Sequence, residues 1–392
     1  MVEINDLKKE FTKYFSEQSE AIYFSPGRVN IIGEHIDYNG GHVMPMAITL
    51  GIYGALKYTS DPIIKVISVG MNDEKICTID MNDYTKTNDY LDYIKGVLFT
   101  FNKNGHIKKY EKGFNIYLNS TLPVASGLSS SASMEVLFSH IINDYYKLNL
   151  SNLDLVNLSV ESERKYINVN CGIMDQFAIG MSEYNKVIYL DCNTVEYKLV
   201  PFDLGDKTLI IVNTKKPRNL IESKYNERRS ECESGQKVLD EAFHKGALCN
   251  YTIDDLDSIK DKITDVVYKR CRHAILEEDR VKRSIKAMED KDYKLLGKLL
   301  QGSHESLQND YESSGIELDT IVSTLNKNEL VLGSRMTGAG FGGCAIALFD
   351  TLDKEKIDKV MAECKEVYHK VTGLSLEYYF AASSDKTRLI EN

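Results

Sequence analysis

The chain has 392 residues, with 48 basic and 58 acidic side chains for a net charge of −10. Hydrophobic and charged fractions of 43% and 27% are those of a globular protein, and the length is enough for two domains. The acidic balance excludes a surface built for nucleic acid or anionic membrane, since both require basic charge.

In chain order, residues 7–15 space their apolar side chains as a helix. Segments 21–24, 29–32, 49–57, 63–69 and 114–119 are β-branched or aromatic and bounded by turn residues, which predicts strands. Helical spacing follows at 131–146, 153–166 and 175–181, then strands at 187–190 and 197–200. Beyond Pro201 and a strand at 208–213 the character changes to long charged helices at 221–242, 268–288, 293–308 and 318–326. The acidic, polar stretch 250–265 reads as a surface connection. A hairpin across 334–349, a helix at 354–372 and a last strand at 377–381 complete the pattern. The expectation is α+β with a boundary near residue 200, giving domains 1–200 and 201–392.

The first residues have neither an apolar core nor a small-residue cleavage site, so no export signal is expected. No run approaches the ~18 apolar residues of a membrane span. The eight cysteines are scattered without a C-x-x-C pair and are expected to be reduced. A cytoplasmic protein with no membrane partner is expected.

Three glycine-bearing segments carry the chemistry. In Leu122-Pro123-Val124-Ala125-Ser126-Gly127-Leu128-Ser129-Ser130-Ser131, a glycine and a run of hydroxyls lead into a helix. Free backbone N–H groups and the positive end of the helix dipole there suit phosphate without any net positive charge. A serine-rich helix cap is the plainer reading. Gly338-Ala339-Gly340-Phe341-Gly342-Gly343 satisfies G-x-G-x-x-G but feeds a strand, which excludes a Rossmann loop. It is either a glycine hairpin or a wall that lets backbone approach a ligand closely. Between apolar Ile31-Ile32 and Val43-Met44, Glu34, His35 and Asp37 form a polar cluster suited to a polyhydroxylated ligand or to an ordinary salt-bridged turn.

With these segments in view, the chain resembles the galactokinase family, within the superfamily that also holds homoserine, mevalonate and phosphomevalonate kinases. Gly27-Arg28-Val29-Asn30-Ile31-Ile32-Gly33-Glu34-His35-Ile36-Asp37-Tyr38-Asn39 is similar to the galactokinase signature, and residues 122–133 to the ATP-binding loop. Asn170-Cys171-Gly172-Ile173-Met174-Asp175-Gln176 resembles the catalytic-aspartate segment, residues 335–343 the C-terminal motif, and residues 223–229 a further sugar-contacting stretch.

The resemblance implies two lobes with the active site in the cleft between them. One is a mixed-sheet, ribosomal protein S5 domain 2-like N-terminal domain; the other is helix-rich with a ferredoxin-like antiparallel sheet. It implies sugar contacts from Glu34, His35, Ile36, Asp37, Gly172 and Tyr225, and ATP contacts from Ser68, Ala125, Ser126, Gly127, Leu128, Ser129, Ser130 and Ser131. Asp175 would face the anomeric hydroxyl with Arg28 as its cationic neighbour, and Ser131 and Glu163 would hold Mg²⁺. A plain Arg28–Asp175 ion pair is the alternative for those two.

The implied reaction is phosphorylation of galactose by ATP at the anomeric hydroxyl, the first kinase step of galactose catabolism, by a monomer or weak homo-oligomer. Many galactokinases have threonine where Ile36 stands, and isoleucine there is familiar from N-acetylgalactosamine kinases. The same chemistry on N-acetylgalactosamine or another hexose is therefore the alternative. A non-catalytic galactose/ATP sensor would be expected to have lost the phosphate loop or the carboxylate, and both are present.

Overall fold

The computed structural model describes residues 2–71, 74–123, 126–217 and 221–392. In the first half the elements run α1 (Ile4–Phe15), β1 (Ala21–Asn30), β2 (His42–Val43), β3 (Pro45–Tyr58), β4 (Ile63–Ser68), β5 (Cys77–Asp80), α2 (Leu91–Lys103), β6 (Phe114–Ser120), α3 (Ser130–Tyr146), α4 (Asn152–Glu161), α5 (Met174–Met181), β7 (Lys186–Asp191) and β8 (Tyr197–Pro201). The second half adds β9 (Thr208–Asn213), α6 (Ile221–Phe243), α7 (Ile253–Ser258), α8 (Asp265–Glu289), α9 (Tyr293–Ser306), α10 (Ile316–Leu325), β10 (Val331–Thr337), β11 (Cys344–Phe349), α11 (Lys354–Thr372), β12 (Glu377–Ala381) and β13 (Arg388–Glu391). α4 and α9 each run on into a π-helical turn, Ser162–Ile167 and Leu307–Tyr311.

A mixed six-stranded sheet in the order β13-β1-β3-β6-β4-β5 organises the first half. Strand side chains alternate between faces, and β1 obeys this: Ile22 and Phe24 join a cluster with Leu7 and Phe11 of α1, while Ala21 and Tyr23 face the main core. With both faces covered, all ten residues of β1 are buried. The second half is built on an antiparallel sheet in the order β10-β11-β9-β12, and β2-β7-β8 form a small third sheet. Among the described residues no helix is long and apolar enough to cross a membrane.

Several elements differ from expectation. The strand predicted at 29–32 ends at Asn30, because Gly33 (φ 102°) and His35 (φ 62°) turn the chain. α2 was not predicted; Gly96 sits in its middle, where a Cβ would lie 2.3 Å from Ser162 Oγ, so the helix needs that glycine to pack closely. The stretch 250–265 is not a plain connection, since it holds α7 and short 3₁₀ turns. After β12 the chain returns to the first sheet as β13, which pairs with β1, so a strand past 381 belongs to the N-terminal sheet.

Candidate active site

β1 supplies the first side chain. Its register shifts between Pro26 and Gly27, so that Pro26 faces Gly51 and Gly27 faces Ile48. Arg28 follows the bulge and is buried, donating from Nε and Nη2 to the two oxygens of Asp175 at 2.9 Å each. Its third contact is Nη1 to the Gly127 carbonyl at 2.7 Å, which ties the strand to the serine-rich loop. Asp175 stands in the first turn of α5 and also accepts from Ser129 Oγ at 2.5 Å on Oδ2. A carboxylate has about four acceptor sites; two donors on Oδ2 and one on Oδ1 leave Oδ1 the oxygen with capacity to spare.

The turn after β1 supplies the polar cluster. Glu34 is buried, accepts from the Gly338 N–H at 2.7 Å and pairs with Arg335 Nη2 at 3.3 Å. Burial pushes its carboxyl up, against the opposing pull of Arg335 and Arg28. His35, in left-handed backbone, donates from Nε2 to the Ala339 carbonyl (3.1 Å), and burial lowers its pKa to about 3, so the ring is neutral. Asp37 is pushed up to about 7 by burial and by the like charges of Asp175 and Glu34. Gly172 is what admits Asp37: a Cβ there would lie 1.7 Å from Asp37 Oδ2.

Arg28, Glu34, His35, Asp37, Glu163, Cys171, Gly172, Asp175, Tyr225, Gly338 and Ala339 are among the residues that line one cleft of about 210 Å³. That is below the ~300–1,000 Å³ of pockets for drug-sized ligands and suits a small polar molecule. Ile36 is not among them. It is fully buried against Gly41, packed into the core, so its side chain is not a wall of this cleft. Ser68 ends β4 beside Leu118 and also lies outside the lining.

None of residues 126–131 is among the lining residues; Gly127 and Ser129 adjoin the cleft through Arg28 and Asp175. Gly127 (φ 77°) and Ser129 (φ 65°) bend the chain into α3, whose N-terminus begins at Ser130. Ser131 sits in that first turn; Ala125 lies outside the described residues. Glu163 stands on the π-helical turn after α4, and Gln176 Nε2 donates to it and to Glu135 (3.0 Å to the latter). Burial and the charge of Asp175 push the Glu163 carboxyl up, and burial with Glu163 nearby does the same to Glu135. Glu163, a carboxylate on the cleft, is a hard-oxygen ligand of the kind that Mg²⁺ accepts.

Of the two readings open for the run 338–343, the ligand wall fits Gly338 and Ala339, which line the cleft; sequence reasoning did not single out Arg335, Gln176 or Glu135. Arg335 had a visible mark, a lone cation in a strand otherwise of small and apolar residues. Glu135 reads locally as a helix-surface charge and had none.

Comparison with known proteins extends over the whole chain. The galactokinase galactose-binding signature matches residues 9–58, the GHMP kinases N terminal domain 92–183 and the GHMP kinases C terminal 284–370. A galactokinase of Clostridium beijerinckii is 43% identical over 393 residues, covering 100% of each chain. One of Streptococcus suis is 43% identical over 390 residues, covering 98% of each. The crystal structure of Lactococcus lactis galactokinase complexed with galactose matches with a TM-score of 0.93 at 39% identity, over 98% of this chain and 99% of that one. A Methanococcus jannaschii mevalonate kinase, 20% identical, shares the fold at a TM-score of 0.67, over 94% of this chain and 99% of its own.

Proposed function

The chain belongs to the galactokinase family, and on that premise we propose how its residues carry out the family's reaction. The protein is an ATP-dependent kinase that phosphorylates galactose. The observation that carries the site assignment is the Arg28–Asp175–Ser129 arrangement, in which Arg28 and Asp175 line the cleft, both Asp175 oxygens are held and Oδ1 is left with an open acceptor site.

In this reading the anomeric hydroxyl donates to Asp175 Oδ1. Asp175 orients the attacking oxygen and takes its proton as the phosphoryl group arrives. Transfer through a loose transition state depends mainly on positioning and charge neutralisation. Arg28 supplies a fixed cation beside the attacking oxygen and, through Gly127, fixes the loop that approaches the phosphates. Backbone N–H groups at the start of α3, with Ser129, Ser130 and Ser131, receive the phosphate oxygens. Glu34, Asp37 and Tyr225 hold the remaining sugar hydroxyls, with His35 forming a neutral wall. Residues 1–200 contribute most of these groups, and 201–392 contribute Tyr225 and the Gly338–Ala339 wall.

The residues present fit a magnesium ion accompanying ATP: Ser131 and Glu163 would hold it, with Gln176 orienting Glu163. When bound, Mg²⁺ supplies neutralisation of the charge on the β- and γ-phosphate oxygens.

The experiment is ADP release over a panel of galactose, N-acetylgalactosamine and other hexoses, with and without Mg²⁺. The expected result is Mg²⁺-dependent turnover with galactose preferred. Preference for the 2-acetamido sugar would overturn the substrate assignment, and absence of ADP with every sugar would favour a sensor.

A further inference from the structure

Behind the sugar cleft four side chains and one carbonyl form a single line of hydrogen bonds. The line ends at the Ala339 carbonyl, which only accepts, so His35 Nε2, 3.1 Å away, carries a proton. In the neutral ring Nδ1 is then an acceptor, and the Tyr38 hydroxyl at 2.7 Å donates to it. That commits the one proton of Tyr38. The Tyr311 hydroxyl, 2.7 Å from that of Tyr38, therefore donates to it in turn. Cys232 Sγ lies 3.3 Å from the Tyr311 oxygen and completes the line as donor to it.

The groups in this line come from distant parts of the chain. Tyr38 is in the 3₁₀ turn after His35, Cys232 on α6 and Tyr311 on the π-helical turn after α9. Tyr311 and Cys232 are wholly buried, and neither lines the cleft. Rings reinforce the arrangement: the His35 centroid is 4.7 Å from Tyr311 and 5.7 Å from Tyr225. Asn39 Nδ2 holds the His35 carbonyl at 2.7 Å, so the backbone of this left-handed residue is fixed as well.

We propose that Tyr38 and Tyr311 are positioning residues for the kinase reaction. Their hydrogen-bond line fixes His35 as the Nε2–H tautomer, seats its ring on Ala339 and thereby sets the shape of the sugar cleft. The Tyr311 hydroxyl acts on the sugar only through that of Tyr38, and the Tyr38 hydroxyl only through His35; the ring contacts of Tyr311 with His35 and of Tyr38 with Tyr225 are kept when either tyrosine becomes phenylalanine. The proposal rests on the site reading above for its effect on galactose, but the tautomer itself does not depend on that reading.

The test uses the full chain with ¹⁵N-labelled histidine. In the absence of sugar, the expected His35 signal is a neutral ring with Nε2 protonated and Nδ1 accepting a hydrogen bond. In Tyr38→Phe the Nδ1 resonance shifts to that of a nitrogen without a donor, and KM for galactose rises roughly five- to tenfold, the loss of one hydrogen bond. KM for ATP stays unchanged. Tyr311→Phe raises KM for galactose by a smaller factor, and the double variant matches Tyr38→Phe alone. Cys232→Ser, which keeps a donor, preserves the His35 signal. An Nδ1–H or doubly protonated His35, an unchanged KM in Tyr38→Phe, or a Tyr311→Phe effect undiminished on the Tyr38→Phe background overturns the proposal. If Tyr311→Phe does not fold, the His35 signal in Tyr38→Phe decides. Lack of galactose turnover in the unaltered protein would instead refute the functional reading.

Discussion

Replacing Gly172 by alanine isolates one contact. The added Cβ would stand 1.7 Å from Asp37 Oδ2 and 2.5 Å from its Cγ, against about 3.4 Å for ordinary contact. Asp37 must therefore retreat by about 1.7 Å, further than a hydrogen bond survives. Gly172 is not among the glycines with positive φ, so alanine adds no backbone strain there, and the obstacle is the end of a side chain that can rotate. Folding should be little affected. If Asp37 accepts protons from two sugar hydroxyls, each bond to a charged acceptor is worth about 1.5–3 kcal/mol. Water recovers part of this, which leaves a loss of roughly 3–4 kcal/mol, or about 10²–10³ in kcat/KM for galactose. Steady-state kinetics with galactose varied at saturating ATP, then the reverse, with a melting curve as control, measure it. A kcat/KM for galactose within threefold of the parent, or an equal loss for ATP, would refute the placement of Asp37 on the sugar.

Asp175→Ala removes the acceptor of three hydrogen bonds and should lower turnover by at least ~10²–10⁴, the range for a general base, while equilibrium binding of ATP persists; near-normal ADP release would sink the assignment. Asp37, held at about 7 against an ordinary 3.8, keeps a proton in the folded state that the unfolded chain has released. Its stabilising contribution is thus present at acid pH and lost as pH rises toward 7. Binding has the opposite sign, because the carboxylate is the acceptor: KM for galactose should fall about tenfold from pH 6 to 8. His35, near 3, should contribute no inflection in that window. Arg335 is fully buried and donates to the Asn30 and Ile31 carbonyls while pairing with Glu34. Arg335→Leu leaves these unpaired and should cost about 3–5 kcal/mol in urea unfolding; a loss below ~1 kcal/mol would contradict the pairing.

How much of this was legible in the sequence depended on how local its cause is. The amphipathic helices of the second half could be read because each buries one stripe, and α11 was placed at both ends. α2 could not, since glycine, aromatic and β-branched residues weaken its intrinsic preference and packing against Ser162 and Tyr166 supplies the reason for it. β5 and β13 are short, half-exposed edge strands with little alternation. In the site, the polar cluster and the serine-rich helix start were visible as local chemistry. That Ile36 turns into the core while its neighbours face the cleft was not, because two left-handed residues redirect the chain just before it. Nor was the line from His35 to Cys232, whose members meet only through tertiary packing.

The two π-helical turns impose a condition of length. Such a turn accommodates one residue more than the regular helix would, and each here carries a group proposed to act at the site or behind it, Glu163 in one and Tyr311 in the other. Removing a single residue from either would let the helix close into regular form and rotate the downstream residues by about 100°. Glu163 would leave the reach of Gln176, or Tyr311 that of Tyr38, with no side chain altered. Around these turns composition can drift more freely than the residue count.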